Sequence, residues 1–278
     1  MTAPDTLPHA LPAAVSVSRG SSPLILSMPH PGTGLPTEVA AALTPRGLAL
    51  EDTDWHMRRL YDFAAGFAPT IVEAGLSRYV IDLNRDPSGA SLYPGQATTE
   101  LVPTTTFDGA PIWTGPLAEE EIARRRAAYF EPYHAALAAE IERIRAEHGW
   151  CLLWDCHSIK SVIPRLFEGT LPTLNLGTNS GASCAGPVAA AAERAMAATG
   201  LSCVANGRFK GGWITRHYGR PEQHVHAIQM EIALSAYLAA EAPPWRFDAA
   251  RASTLQAALS RIIEAALDAA ALHERSRP

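Results

Sequence analysis

Apolar and polar positions along the chain fall into two alternating regimes. Short apolar runs at 23–28, 79–83 and 151–154 end in turn-forming residues and are flanked by helix-compatible sequence. Runs of that length without internal alternation fit strands buried on both faces, as in parallel sheet. The segment 117–148 is dense in Ala, Glu and Arg, with Ile122, Tyr129, Tyr133, Leu137, Ile141 and Ile144 recurring at helical spacing. It predicts one long amphipathic helix, or two joined at Pro132. Further helices are expected over 186–199, where Ala dominates, and over 250–272, where Leu255, Leu259, Ile262, Ile263 and Leu267 form one stripe. Strands alternating with helices predict a three-layer α/β/α sandwich around a mostly parallel, mixed central sheet.

The stretches 86–116 and 164–183 are rich in Gly, Pro, Thr and Asn with little periodicity. Irregular segments that long in a compact fold are commonly active-site loops, so both are expected to wall a pocket. No linker-like tract divides the chain, which reads as a single domain over 1–278, with 1–20 a loose lead-in and 245–278 a terminal helix and tail.

Composition narrows the classes of function. With 278 residues, 47% of them hydrophobic, the chain can bury a substantial core. A net charge of −5 disfavours nucleic acid or an anionic membrane as partner, because both require a net basic face. The first twenty residues contain Pro4, Pro8 and Pro12 and lack the basic and apolar regions of a signal peptide. No apolar run reaches the roughly 20 residues that cross a bilayer. Four cysteines without a CxxC pair read as buried free thiols in a reducing compartment, so the cytoplasm is the expected location.

Against that background a few polar clusters stand out. His30 leaves the end of the first apolar run into a Pro/Gly turn, and His157 follows the third, two residues after Asp155. Ligands gather at the carboxyl ends of strands in open α/β sheets, so two strand-end imidazoles can converge on one metal ion. The alternative is that both bond loop backbone. A third ligand is sought in the acidic segment 51–56, where Asp54 is preferred over Asp52 and His56, although either aspartate could instead cap a helix near Trp55. Asn84 and Arg85 place an amide beside a bidentate fork, a pair suited to holding a carboxylate or, alternatively, to pairing with Asp82 or Asp86. The segment 206–220 gathers Arg208, Lys210, Arg216 and Arg220 among glycines, a local sink for a dicarboxylate in an acidic protein.

The run Arg78-Tyr79-Val80-Ile81-Asp82-Leu83-Asn84-Arg85, between a strand-end histidine and a later Asp-x-His, resembles the aspartoacylase branch of the zinc carboxypeptidase-like hydrolases. More closely, Pro29-His30, Thr53-Asp54-Trp55-His56, Leu92-Tyr93-Pro94-Gly95-Gln96, Asp155-Cys156-His157-Ser158 and the run from Asn206 through Thr215 to Arg216 resemble the N-formylglutamate deformylase family of histidine degradation, over roughly residues 23–240. The resemblance implies a zinc-exopeptidase-like fold and one divalent metal, zinc, held by His30, Asp54 and His157. It implies Glu231 as general base, at the end of the alternating run 225–231, and Arg78 as stabiliser of the oxyanion. It further implies a small dicarboxylate substrate, N-formyl-L-glutamate, contacted by Asn84, Arg85, Arg208, Lys210, Thr215 and Arg216, with Arg85 on one carboxylate and Arg208 or Arg216 on the other. The loop 92–107 is expected to wall off acyl groups larger than formyl.

One departure bears on the ligand set. The wider superfamily has a ligand glutamate three residues after its first metal histidine, whereas this chain has Thr33, so the carboxylate ligand must come from elsewhere. The competing functions are deacylation of another N-acyl dicarboxylic amino acid, such as N-formylaspartate or an N-acetyl compound, and non-catalytic dicarboxylate binding around a structural metal. A Ser158 or Cys156 nucleophile is disfavoured, because neither lies in a GxSxG-type elbow. Oligomeric state leaves no mark in the sequence.

Overall fold

The computed structural model describes residues 11–277, except 93, 94 and 96. Its strands are β1 (Val15–Ser18), β2 (Leu24–Met28), β3 (Thr70–Ala74), β4 (Cys151–Ile159), β5 (Leu174–Gly177), β6 (Cys203–Ala205) and β7 (Val225–Ala233). The helices are α1 (Thr37–Ala42), α2 (Pro45–Leu48), α3 (Met57–Leu60), α4 (Glu119–Arg125), α5 (Glu131–His148), α6 (Gly186–Ala197), α7 (Trp213–Tyr218) and α8 (Ala249–Arg275). Among the described residues the strands form one seven-stranded sheet in the order β1-β3-β2-β4-β7-β5-β6. The strands β3, β2, β4 and β7 run parallel, while β1 and β5 are antiparallel to their neighbours β3 and β7.

Both faces of the sheet are covered, as near-continuous apolar strands require. On one face α3, α6 and α8 bury Met57, Val188, Met196, Leu259 and Ile262 against Leu152, Trp154 and Ile228. On the other, α1 and α5 bury Val39, Leu137, Ile141 and Ile144 against Ile25, Leu153 and Ala227. The α8 stripe begins where Asp248 accepts the backbone N–H groups of Ala250 and Arg251 and so caps the helix start. Full burial of each large aliphatic side chain in that stripe contributes about 1.5–3 kcal/mol. No helix among the described residues is long and apolar enough to cross a membrane.

The three-layer α/β architecture and the mixed, mostly parallel sheet follow the sequence pattern; several elements do not. The apolar run 79–83 forms no strand. Ser77 Oγ accepts the Tyr79 N–H and the Asp82 carboxylate accepts the Asn84 N–H, so side chains take donors that a ladder would need. The segment remains buried as irregular backbone. Residues 15–18, expected in the loose lead-in, pair with β3 as an edge strand, and β5 lies within a stretch expected to be irregular. The rest of the lead-in, 1–10, lies outside the described residues. The long helix is continuous but changes pitch: a π turn over Arg126–Phe130 joins α4 to α5. Pro132 has no N–H to donate, and the wider turn accommodates the interruption. Cys151, Cys156 and Cys184 are buried free thiols, and Cys203 is half-buried.

Candidate active site

The parallel strands β2, β4 and β7 are neighbours, so their carboxyl ends share one edge of the sheet. On the face covered by α5 the amino halves of these strands are apolar, with Ile25, Cys151, Leu153, Val225 and Ala227 in the core. Two residues further along, the same face turns polar. Ser27, Asp155, Gln229 and Gly177 lie in one row across the sheet, and His157, Glu231 and Asn175 in the next. Alternation keeps both rows on the same side.

His30 follows two residues after β2, and its carbonyl accepts the backbone N–H of Asp54 at 3.0 Å. That bond brings the 50–56 loop over the sheet edge. Asp54 Oδ2 lies 3.2 Å from His157 Nδ1 and 3.7 Å from His30 Nδ1, and the two imidazole centroids are 5.0 Å apart. One ligand atom from each of His30, Asp54 and His157 falls within 4.8 Å of the others, and all three residues are buried. His30 Nδ1 and Asp54 Oδ1 are buried without a hydrogen-bond partner, an expensive arrangement unless something else occupies the gap. Two imidazole nitrogens and a carboxylate oxygen form a donor set that fits a divalent cation of the zinc type.

Asp54, rather than Asp52 or His56, enters this group. Asp52 accepts the Tyr79 hydroxyl at 2.8 Å and the Phe107 N–H at 2.9 Å, and burial pushes its carboxyl up to about 6. The His56 ring bonds the Trp245 carbonyl instead. Neither aspartate caps a helix, since α3 begins at Met57 with His56 as its cap. Thr33 is exposed.

Each imidazole turns its other nitrogen to a carboxylate. His30 Nε2 lies 2.8 Å from Asp82 Oδ1, and His157 Nε2 lies 2.9 Å from Asp155 Oδ2. Such outer carboxylates fix ring orientation and tautomer in histidine ligands of metals. Burial, together with the Arg78 charge, brings His30 down to about 4. Burial opposes charge on His157 as well, yet Asp155 and Asp54 hold it well above its ordinary value. Asp82 is also the counter-ion of Arg78, at 2.6 Å, and stays far below the usual carboxylate range despite its burial. The Arg78 guanidinium stacks 4.7 Å from the Phe107 ring, and its Nε is buried without a partner.

A cavity of about 160 Å³ opens over this face, lined among others by His30, Arg78, Arg85, His157, Arg208 and Glu231. Glu231 stands in register with His157 inside β7, and burial pushes its carboxyl up to about 8 against the opposing effect of His157. Loop 86–116 supplies Asp86, Leu92, Thr99 and Phe107 to the wall, and the other irregular stretch supplies Leu166. Tyr93, Pro94 and Gln96 of the quoted motif lie outside the described residues. Arg85 donates to the Thr99 carbonyl and hydroxyl, while Arg208 donates to the Leu166 and Ala97 carbonyls.

The remaining expected substrate contacts are differently placed. Asn84 reaches the cavity, but its amide is engaged: Oδ1 accepts the Ile214 N–H at 2.8 Å, and Nδ2 lies 3.3 Å from Asp155 and 2.9 Å from His157 Nε2. Lys210, Thr215 and Arg216 are absent from the cavity lining among the described residues. Thr215 is fully buried, and Arg216 donates to the Gly211 carbonyl. The basic run reads as one patch in sequence, whereas the turn at 210–212 and α7 send its members in different directions. Cys156 is buried, with its thiol pushed well above its ordinary value by burial, and Ser158 shares a hydrogen bond with Tyr237.

Sequence reasoning missed Asp82 as the partner of His30 and Arg78, and Gln229 as a residue of the cavity lining. Gln229 carried a usable signal, because it shares the alternation that places Glu231. Asp82 did not, since its contact with His30 spans 52 residues.

Comparison with known proteins gives a consistent result. Residues 22–238 match the family described as N-formylglutamate amidohydrolase. The N-formylglutamate deformylase of Pseudomonas aeruginosa is 50% identical over 258 residues, covering 91% of this chain and 96% of the relative. The N-formylglutamate deformylase of Pseudomonas putida is 46% identical over 258 residues, covering 91% and 95%. The crystal structure of N-formylglutamate amidohydrolase from Ralstonia eutropha JMP134 shares the fold, with a TM-score of 0.75 and 24% identity over 91% of this chain and 97% of that one.

Proposed function

The chain belongs to the N-formylglutamate amidohydrolase family, and from that premise we propose that it hydrolyses N-formyl-L-glutamate to formate and L-glutamate, as the last step of a histidine degradation route. The observation that carries the chemistry is the pair of imidazoles whose Nδ1 atoms converge on Asp54 while each Nε2 is held by a carboxylate. His30, Asp54 and His157 would hold one divalent cation, zinc by its donor set. Held there, the cation supplies Lewis acidity, making water nucleophilic near neutral pH and polarising the scissile carbonyl.

The side chains divide the remaining work. Glu231 accepts the proton of the attacking water and returns it to the amide nitrogen as the C–N bond breaks. Arg78, held by Asp82 and backed by the Phe107 ring, lines the cavity and would stabilise the oxygen on which negative charge develops. Arg85 and Arg208 give the cavity the positive charge a dicarboxylate requires. Leu101 and Phe107 narrow the wall, which supports the preference for formyl over larger acyl groups. Buried free thiols support a reducing, cytoplasmic setting.

The test is formate release from N-formyl-L-glutamate by purified protein whose metal content is measured before chelation, after chelation and after zinc is restored. Activity that follows the metal content supports the reading. A fully loaded protein that releases no formate contradicts it, and equal rates on N-acetylglutamate contradict the narrow acyl wall.

A further inference from the structure

Gln229 lies on the cavity floor, 3% exposed, two residues before Glu231 on β7. Its amide orientation is determined. The Gly212 N–H lies 2.7 Å from Gln229 Oε1, and only the oxygen of that amide can accept a hydrogen bond. The –NH2 end is therefore the donor left to face the cavity.

Two close approaches build this arrangement. The turn at 210–212 comes down onto the sheet over Gly177, where a Cβ would lie 2.6 Å from the Gly211 nitrogen. At Gly212 a Cβ would lie 2.3 Å from Asn84 Nδ2. Glycine at both positions lets one stretch of backbone lock two amides: Gly212 N–H holds Gln229, and Ile214 N–H holds Asn84. The Asn84 –NH2 is directed at Asp155 and His157, so of the two amides only Gln229 retains a donor for a ligand.

Resting on the activity proposed above, the geometry points to Gln229 as the residue that reads the side-chain carboxylate of the substrate. Two residues along a strand span about 6.6 Å. In extended N-formylglutamate the formyl carbon and the side-chain carboxylate carbon are about 6 Å apart, whereas the α-carboxylate carbon is only about 3–4 Å from the formyl carbon. With the scissile bond beside Glu231, the distal carboxylate reaches Gln229 and the α-carboxylate falls short. Arg85 and Arg208 supply charge from the loop walls, and Gln229 supplies an oriented donor from the rigid sheet.

The experiment compares kcat/KM on N-formylglutamate and N-formylglutamine for the wild type, Gln229→Glu and Gln229→Met, each loaded with zinc. The ratio within one preparation cancels any loss of folded protein. Gln229→Glu keeps the acceptor for Gly212 but presents negative charge to a carboxylate and an acceptor to an amide. Its preference for the glutamate compound is expected to shift by at least about 100-fold towards N-formylglutamine, mainly through KM. Gln229→Met is expected to shrink the wild-type preference by about 10-fold. Ratios that stay within about twofold of wild type in both variants overturn the assignment while leaving the deformylase reading intact. A wild type that releases no formate from either compound defeats that reading and this one together.

Discussion

Replacing Asp82 with asparagine preserves the side chain's shape and removes one negative charge from the centre of the site. Asp82 is fully buried and accepts from His30 Nε2 at 2.8 Å, Arg78 Nη2 at 2.6 Å and the Asn84 N–H at 2.9 Å. Two separable losses follow. Arg78 is 6% exposed and would keep the Asp52 carbonyl at 3.4 Å, the Phe107 ring and the more distant charges of Asp52 and Asp54, and stripping the nearest partner from a buried ion pair costs up to about 3–5 kcal/mol. His30 would lose its charged orienting partner, which lowers cation affinity by about 10–100-fold. Urea unfolding of cation-free protein reads the first loss, and a zinc competition titration reads the second. Asp155→Asn is the control: it stands to His157 as Asp82 does to His30, but the charged partner it would leave behind is an imidazole, which can release its proton, whereas the Arg78 guanidinium cannot. Similar zinc losses are expected for the two variants, with Asp82→Asn less stable by about 2 kcal/mol or more. If Asp82→Asn binds zinc within about twofold of wild type, or if the two variants unfold alike, the double role assigned to Asp82 is wrong.

Three more outcomes are expected. Glu231→Gln should reduce kcat by about 10²–10⁴-fold while zinc content is unchanged, and a variant that loses zinc instead would mark Glu231 as a ligand. Chelation should lower the melting temperature as well as abolish turnover, since a cation at 100 times its Kd stabilises by about 2.7 kcal/mol; an unshifted melting curve would argue against a resident ion. Acid should destabilise the fold through His134, which burial holds at about 4 between the Leu83 carbonyl and the Tyr218 hydroxyl. The unfolded chain takes up that proton below pH 6.5 and the folded one does not, so stability falls as pH drops from 6.5 towards 4. Between pH 8 and pH 5 this contributes about 2 kcal/mol. His134→Gln should flatten the urea stability profile by that amount, and identical profiles would remove His134 from the account.

How much of this could be read from the sequence depended on the range of the determining contacts. His30 and His157 were legible because a strand end and a neighbouring turn are local features. Asp54 stayed one of three options, since its arrival depends on a left-handed Leu50, φ 49°, and on a backbone bond to His30 across 24 positions. The run 79–83 reads as a strand in sequence because burial alone makes a segment apolar, and nothing local reveals whether the backbone joins a ladder or donates to Ser77 and Asp82. Strands β1, β3, β5 and β6 contain only four, five, four and three residues, too few to display a period. Lys210, Thr215 and Arg216 show the opposite limit: they neighbour Arg208 in the chain, yet among the described residues they do not line the cavity.

The changeover from apolar to polar along one face of β4 has an evolutionary corollary. Cys151 and His157 sit on the same strand about 20 Å apart, beyond the distance at which substitutions usually interact. Thermal hardening and catalytic tuning can therefore proceed at opposite ends of a shared set of segments, each with little penalty to the other. A lineage adapting to a warmer habitat has the first end to work on, and one acquiring a new acyl substrate has the second.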